Sequence, residues 1–248
     1  MRKVWMGLVA TASLAIGPPT RAAPLDFALV LPPAPAAHSP RDVADRAIFR
    51  QTRALAGSPR WTMAQSDANL ATADLLADFS CAVGAPLDLD KAPATAGLMR
   101  LLGPDIAAAI GPAKTRYQRR RPYLVDEGPI CVPRTDSLDK DFDYPSGHAT
   151  IGWTIGLLLA MAAPDRAEAI LARARAFGES RVVCGVHNAS AVEAGRLLAT
   201  AIVERRANDP DVRADLDRAR AELAAARVGP AQRGPACAAE QPLLPTPW

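Results

Sequence analysis

Ala149-Thr-Ile-Gly-Trp-Thr-Ile-Gly-Leu-Leu-Leu-Ala-Met-Ala-Ala163 contains no charged side chain and is apolar nearly all round. A surface helix keeps a polar face for water, so a helix without one must be enclosed by its neighbours. At about 1.5 Å per residue the run reaches roughly 22 Å, short of the roughly 30 Å hydrocarbon core of a bilayer. It therefore predicts a buried central helix, entered from the turn Tyr144-Pro-Ser-Gly-His148.

Outward from this centre the chain is rich in Ala and Leu and poor in runs of Val, Ile and Tyr, which favours helices over strands. The fold class expected is all-α, a single-domain helical bundle. Ser39-Pro40 reads as a helix start, with Ser at the N-cap and Pro at the first helical position. Helices are expected over Asp42–Leu55, Asp67–Val83, and Thr95–Ile110 with a weak point at Gly103-Pro104. A basic helix over 112–121 follows, then loop over 123–147. Beyond the central helix come Asp165–Phe177, 188–206 and 210–227. The organisation expected is a leader over 1–22, an irregular Pro/Ala-rich arm over 23–38, a helical domain over 39–228 and an irregular tail over 229–248.

The leader has the marks of a secretory signal. Met1-Arg2-Lys3 is positive, Val4–Ile16 is apolar, Gly17-Pro-Pro19 breaks the run, and small residues precede a cut after Ala22 or Ala23. Without Arg2, Lys3 and Arg21 the basic residues fall to about the 26 acidic ones, so no basic footprint for nucleic acid remains. Four cysteines lie beyond the leader: Cys81, Cys131, Cys184 and Cys237. An even number in an exported chain predicts two disulfides, with all three pairings open. No Cys-x2-Cys spacing suggests a zinc site.

Three segments carry candidate chemistry. Lys114 and Arg121 are seven apart, so on one helix they would project about 20° from each other and could clamp a dianion. In Tyr144-Pro-Ser146-Gly147-His148, Gly147 admits a ligand close to the backbone and the helix N-terminus offers amides to an anion. Ser146 adds a hydroxyl, and His148 can exchange a proton near neutral pH. In Ser180-Arg181-Val-Val-Cys184-Gly-Val-His187, Arg181 can hold two phosphate oxygens and neutral His187 can attack phosphorus.

Order, spacing and identity together, Lys-x6-Arg-Pro, Pro-Ser-Gly-His and Ser-Arg-x5-His, resemble the class A bacterial non-specific acid phosphatases. These belong to the phosphatidic acid phosphatase type 2 (PAP2) superfamily, which shares its all-helical core with vanadium haloperoxidases. Leu55-Ala-Gly-Ser-Pro-Arg-Trp61 and Gly195-Arg196 extend the likeness over most of 30–205. The resemblance implies phosphate monoester hydrolysis with a broad substrate range and an acidic optimum, in the periplasm or secreted. It implies that His187 is the nucleophile and His148 the proton donor. Lys114, Arg121, Arg181, Ser146 and the Gly147 amide would bind phosphate, with no cofactor and no metal. The partners expected are small phosphate esters and, as an oligomer, copies of the chain itself. No nucleic acid and no membrane span in the mature chain are expected. Because such a site brings its segments together, Cys131 is expected to pair with Cys184, leaving Cys81 for Cys237.

The chain departs from the family pattern at one place. That pattern continues His-x3-Asp, and the Asp orients the nucleophile, but here the position is Ala191. Glu193, on another helical face, Ser190, a backbone carbonyl or a carboxylate from elsewhere could hold the ring. With none of these, His187 would be a poorer nucleophile and Ala191→Asp would raise turnover. The alternatives are an impaired phosphate-binding homologue, a soluble lipid-phosphate or isoprenyl-diphosphate phosphatase, and a haloperoxidase.

Overall fold

Every regular element among the described residues (25–227, 229, 234–246 and 248) of this computed structural model is helical, as the composition predicts. The expected leader lies outside these residues. One helical turn, α1 (Phe27–Val30), interrupts the arm expected to be irregular, capped by the Asp26 carboxylate on the Ala28 N–H. α2 (Pro40–Thr52) starts as expected, with Ser39 Oγ accepting from the Asp42 N–H. α3 (Pro59–Ser66) was not expected, yet it repeats the same device: Ser58 Oγ accepts from the Trp61 N–H and Pro59 opens the helix.

α4 (Thr72–Val83) starts at Thr72 rather than Asp67. Asp67 is instead drawn into a buried ion pair with Arg173 at 2.6 Å, and Asn69 accepts the Ala71 N–H. The helix expected over 95–110 is split at Leu102 into α5 (Pro93–Leu101) and α6 (Gly103–Tyr117). α6 runs through Pro112 and stops where Gln118 turns left-handed at φ 45°. The basic helix over 112–121 therefore does not reach Arg121, which sits in extended backbone before a short 3-10 turn, Pro122–Leu124. One further turn, α7 (Asp136–Lys140), lies in the expected loop.

The charge-free run forms α8 (Gly147–Ala162). It packs most extensively against α9 (Ala167–Val183) and α10 (Ala189–Arg206), with α11 (Pro210–Ala226), α5 and α6 closing the remaining sides. Ile155, Leu158 and Leu159 are fully buried, each contributing about 1.5–3 kcal/mol over an exposed state. Two glycines set the distance to α9. A Cβ at Gly152 would lie 2.3 Å from the Phe177 ring, and one at Gly156 would lie 2.3 Å from the Ala174 Cβ.

The tail is not irregular throughout. α12 (Gly234–Glu240) forms where Ala-rich sequence is tied down by the Cys81–Cys237 disulfide and by Glu240, 3.4 Å from Arg173. The second disulfide joins Cys131 to Cys184, so both pairings match expectation. No helix among the described residues is long and apolar enough to cross a membrane.

Candidate active site

The C-terminal end of α9 makes the first wall. Gly185 adopts φ +80°, a left-handed turn that an L side chain resists. The chain reverses there, and the Val186 and His187 N–H groups both donate to the Arg181 carbonyl, at 3.1 and 3.2 Å. Arg181 and His187 are thus set side by side. Cys184, between them, is anchored to Cys131 by the disulfide and by the Cys131 N–H donating to the Cys184 carbonyl at 3.0 Å.

Arg181 is 3% exposed, and its Nε and Nη1 have no hydrogen-bond partner. Burial, reinforced by the Arg121 charge, lowers its pKa to about 10. Ser180 points elsewhere. Its hydroxyl bonds Asp67 and accepts from Arg60 Nη1 at 2.8 Å, so it secures the helix end.

The second wall comes from the chain after α6. Arg121 donates from Nη1 to the Val186 carbonyl at 2.7 Å and meets His187 Nε2 at 3.1 Å. Its Nη2 reaches Asp141 Oδ2 at 2.6 Å, and Lys114 Nζ reaches the same oxygen at 2.5 Å. Lys114 and Arg121 converge as the sequence suggests, but by a chain reversal at Gln118 and a shared carboxylate, not by helical spacing. Burial pushes Asp141 upward, but hydrogen bonds and charges from Lys114 and Arg121 outweigh it and hold the carboxyl below its usual range.

The third wall is the start of α8. Ser146 is its N-cap, accepting from the Ala149 N–H at 3.3 Å, and Gly147 and His148 form the first turn. The His148 Nε2 lies 3.1 Å from the Ala68 carbonyl, an acceptor only, so Nε2 carries the hydrogen and Nδ1 the lone pair. Burial, then the charge of Arg181, lowers the His148 pKa well below 6.5. His187 is 2% exposed and is likewise depressed, by burial first and then by Arg121, Lys114 and Arg181. Both imidazoles are therefore neutral bases within reach of the cations' field.

Two groups that the sequence does not single out complete the surroundings of His187. The Asp143 carbonyl and Oδ1 lie 2.7 and 3.0 Å from its Nδ1. Asp143, fully buried, accepts from the Asn188 N–H at 3.0 Å and Asn188 Nδ2 at 2.8 Å, with Arg119 Nη1 at 3.4 Å. Arg119 in turn binds Asp42, Asp45 and Ser190. Glu193 is exposed and pairs with Arg41, so it takes no part. Ala191 lies in the core, its carbonyl accepting the Ser146 N–H at 3.0 Å. A lone acid in the acidic stretch before Tyr144-Pro-Ser-Gly-His148 carried no periodic signal; its place in Asp141-Phe-Asp143, next to the motif, was the only hint.

A helical bundle with cations and two imidazoles gathered at the N-terminus of its central helix is the architecture of a phosphate-handling enzyme. The PAP2 superfamily pattern matches residues 96–205, a span that takes in all three walls. The chain is 41% identical to the acid phosphatase of Zymomonas mobilis over 82% of its own length and 77% of that protein. It is 34% identical to the non-specific acid phosphatase of Salmonella typhi, covering 78% of each, and 34% identical to that of Providencia stuartii, covering 81% and 82%. The chain belongs to the class A non-specific acid phosphatases of the PAP2 superfamily, enzymes that hydrolyse phosphate monoesters.

Proposed function

We propose that this enzyme is an exported acid phosphatase of broad substrate range that works through a covalent phosphohistidine on His187. The observation that carries the reading is the Arg181 guanidinium, buried with two unpartnered nitrogens beside Arg121, Lys114 and two neutral imidazoles. An unpartnered polar group in the interior costs about 1–3 kcal/mol, and more when charged. A phosphate dianion supplies the missing acceptors. The two disulfides suit an oxidising compartment, periplasmic or extracellular.

In this mechanism Arg181, Arg121 and Lys114 hold the equatorial oxygens, with Ser146 and the Gly147 amide at the helix N-terminus. His187 Nε2 attacks phosphorus as the bond to the leaving oxygen breaks. The dianion offsets the cationic field around His148, allowing its Nδ1 to take up a proton and pass it to the leaving alkoxide. Neutral again, His148 then removes a proton from water, whose oxygen attacks phosphorus and frees His187. The cations neutralise the developing charge, so no step needs a metal.

Turnover of a chromogenic phosphate ester tests this reading. His187→Ala is expected to fold and lose several orders of magnitude in kcat, vanadate to compete with substrate, and EDTA to leave the rate unchanged. Near wild-type turnover in purified His187→Ala, or a rate abolished by EDTA and restored by zinc or magnesium, would contradict it.

A further inference from the structure

The two nitrogens of His187 face opposite kinds of partner. Both groups at Nδ1, the carbonyl and Oδ1 of Asp143, are hydrogen-bond acceptors, whereas Arg121 Nη1 at Nε2 is a donor only. One tautomer satisfies both ends, with hydrogen on Nδ1 and the lone pair on Nε2. The Asp143 carboxylate is itself surrounded by donors: the Asn188 N–H and Nδ2, and Arg119. Burial raises the Asp143 pKa, and Arg119 and the Asn188 hydrogen bonds oppose part of that rise. The backbone is held too, since the Asp143 N–H donates to the Arg119 carbonyl at 2.8 Å.

We propose that Asp143 is the positioning residue of His187, standing in for the carboxylate that the family pattern places at position 191. The acid has moved from the segment after the nucleophile to the segment before Tyr144-Pro-Ser-Gly-His148, and it reaches the same ring from there. Ala191 could not serve: its side chain lies in the apolar core, and its carbonyl is used by Ser146. As Nε2 bonds to phosphorus and the P–O bond to the leaving group breaks, the ring becomes cationic and keeps its Nδ1 hydrogen. Asp143 stabilises that cation and takes no proton. The proposal rests on His187 being the nucleophile.

Asp143→Asn is the least disruptive test, because the amide oxygen can still accept from Nδ1 and from the Asn188 N–H. Losing the orienting acid costs on the order of 10⁴ in a serine protease, largely through the wrong tautomer. Here the Asp143 backbone carbonyl still favours the right tautomer, so kcat is expected to fall roughly 10²- to 10³-fold. KM and vanadate inhibition should stay within about 3-fold, since Asp143 does not touch substrate. In the wild-type enzyme, ¹⁵N shifts of the His187 ring should show hydrogen on Nδ1. Ala191→Asp should give no gain, because the ring already has its carboxylate and the new one would enter the core. Asp143→Asn within about 3-fold of wild-type kcat, hydrogen on Nε2 of the wild-type ring, or a gain of about 10-fold in Ala191→Asp would each overturn the proposal. The ¹⁵N and Ala191→Asp arms stand even if Asp143 variants do not fold. Phosphate trapped on His187 of the wild type, together with a silent Asp143→Asn, would sink this proposal alone. No phosphate on His187 would sink the nucleophile reading first.

Discussion

The His187 N–H donates to the Arg181 carbonyl across the reversal at Gly185, so the proposed nucleophile and the buried guanidinium are held by one turn. Any change in that turn moves both. A side chain at Gly185 would have to accept φ +80°, and its Cβ would lie 2.4 Å from Arg53 Nη1. Arg53 already donates to the Val182 and Val183 carbonyls at 2.8 and 2.7 Å, so it cannot retreat freely. Gly185→Ala is expected to cost more than about 1 kcal/mol of stability and to lower kcat at least 10-fold, read by thermal unfolding and steady-state rates.

The phosphate-binding role proposed for Arg181 sets binding against stability. Arg181 is buried with Nε and Nη1 unpartnered by protein groups, so Arg181→Met should raise the melting temperature of the phosphate-free enzyme. The same variant should lose the stabilisation that millimolar phosphate gives the wild type. Thermal shifts with and without phosphate measure both effects. A wild type that phosphate does not stabilise would contradict the assignment.

The two disulfides should separate by function. Cys131–Cys184 closes 53 residues of chain, worth about 4 kcal/mol in the loop-entropy estimate, and it anchors the residue between Arg181 and His187. Breaking it with Cys131→Ser and Cys184→Ser is expected to reduce both stability and kcat. Removing Cys81–Cys237 releases α12, far along the chain from the site, and should lower the melting temperature while leaving kcat within about 3-fold at 25 °C.

Acid should raise the rate while weakening what the two histidines contribute to stability. His148 and His187 are held neutral, with folded pKa values below 6.5. At these two positions the unfolded chain binds more protons below that pH, so their contribution to stability falls as pH drops from 6.5 toward the folded values. Asp78, Asp143 and Glu240, whose pKa values burial raises, act in the opposite sense. In the proposed mechanism a poor leaving group takes its proton from His148, so turnover of alkyl phosphates should rise over the same interval. A nitrophenyl ester, which needs no proton, should respond less. Melting curves of the wild type and of His148→Ala, which should lose part of the acid destabilisation, and kcat profiles of the wild type between pH 4 and 8 test the pairing.

The central helix was legible because a run with no charge leaves a helix no solvent face, and the motifs were legible because each groups basic side chains or hydrogen-bond donors suited to an anion. What sequence could not supply was direction. The seven-residue spacing of Lys114 and Arg121 suggested one helical face, yet Gln118 ends α6 and Asp141 brings the two cations together. Asp143 escaped because its role depends on a contact 44 residues away in sequence, which no local pattern encodes. α3 was within reach: Ser58-Pro59 carries the same start signal as Ser39-Pro40.

The most direct measurement of the central claim is alkaline quench of the enzyme within milliseconds of mixing with a nitrophenyl phosphate, followed by peptide mass spectrometry. The account requires phosphate on Nε2 of His187, absent in His187→Ala and accumulating in His148→Ala, where removal of the base slows water attack. Phosphate on another residue, or none on His187 during a resolved burst of nitrophenol, would contradict it.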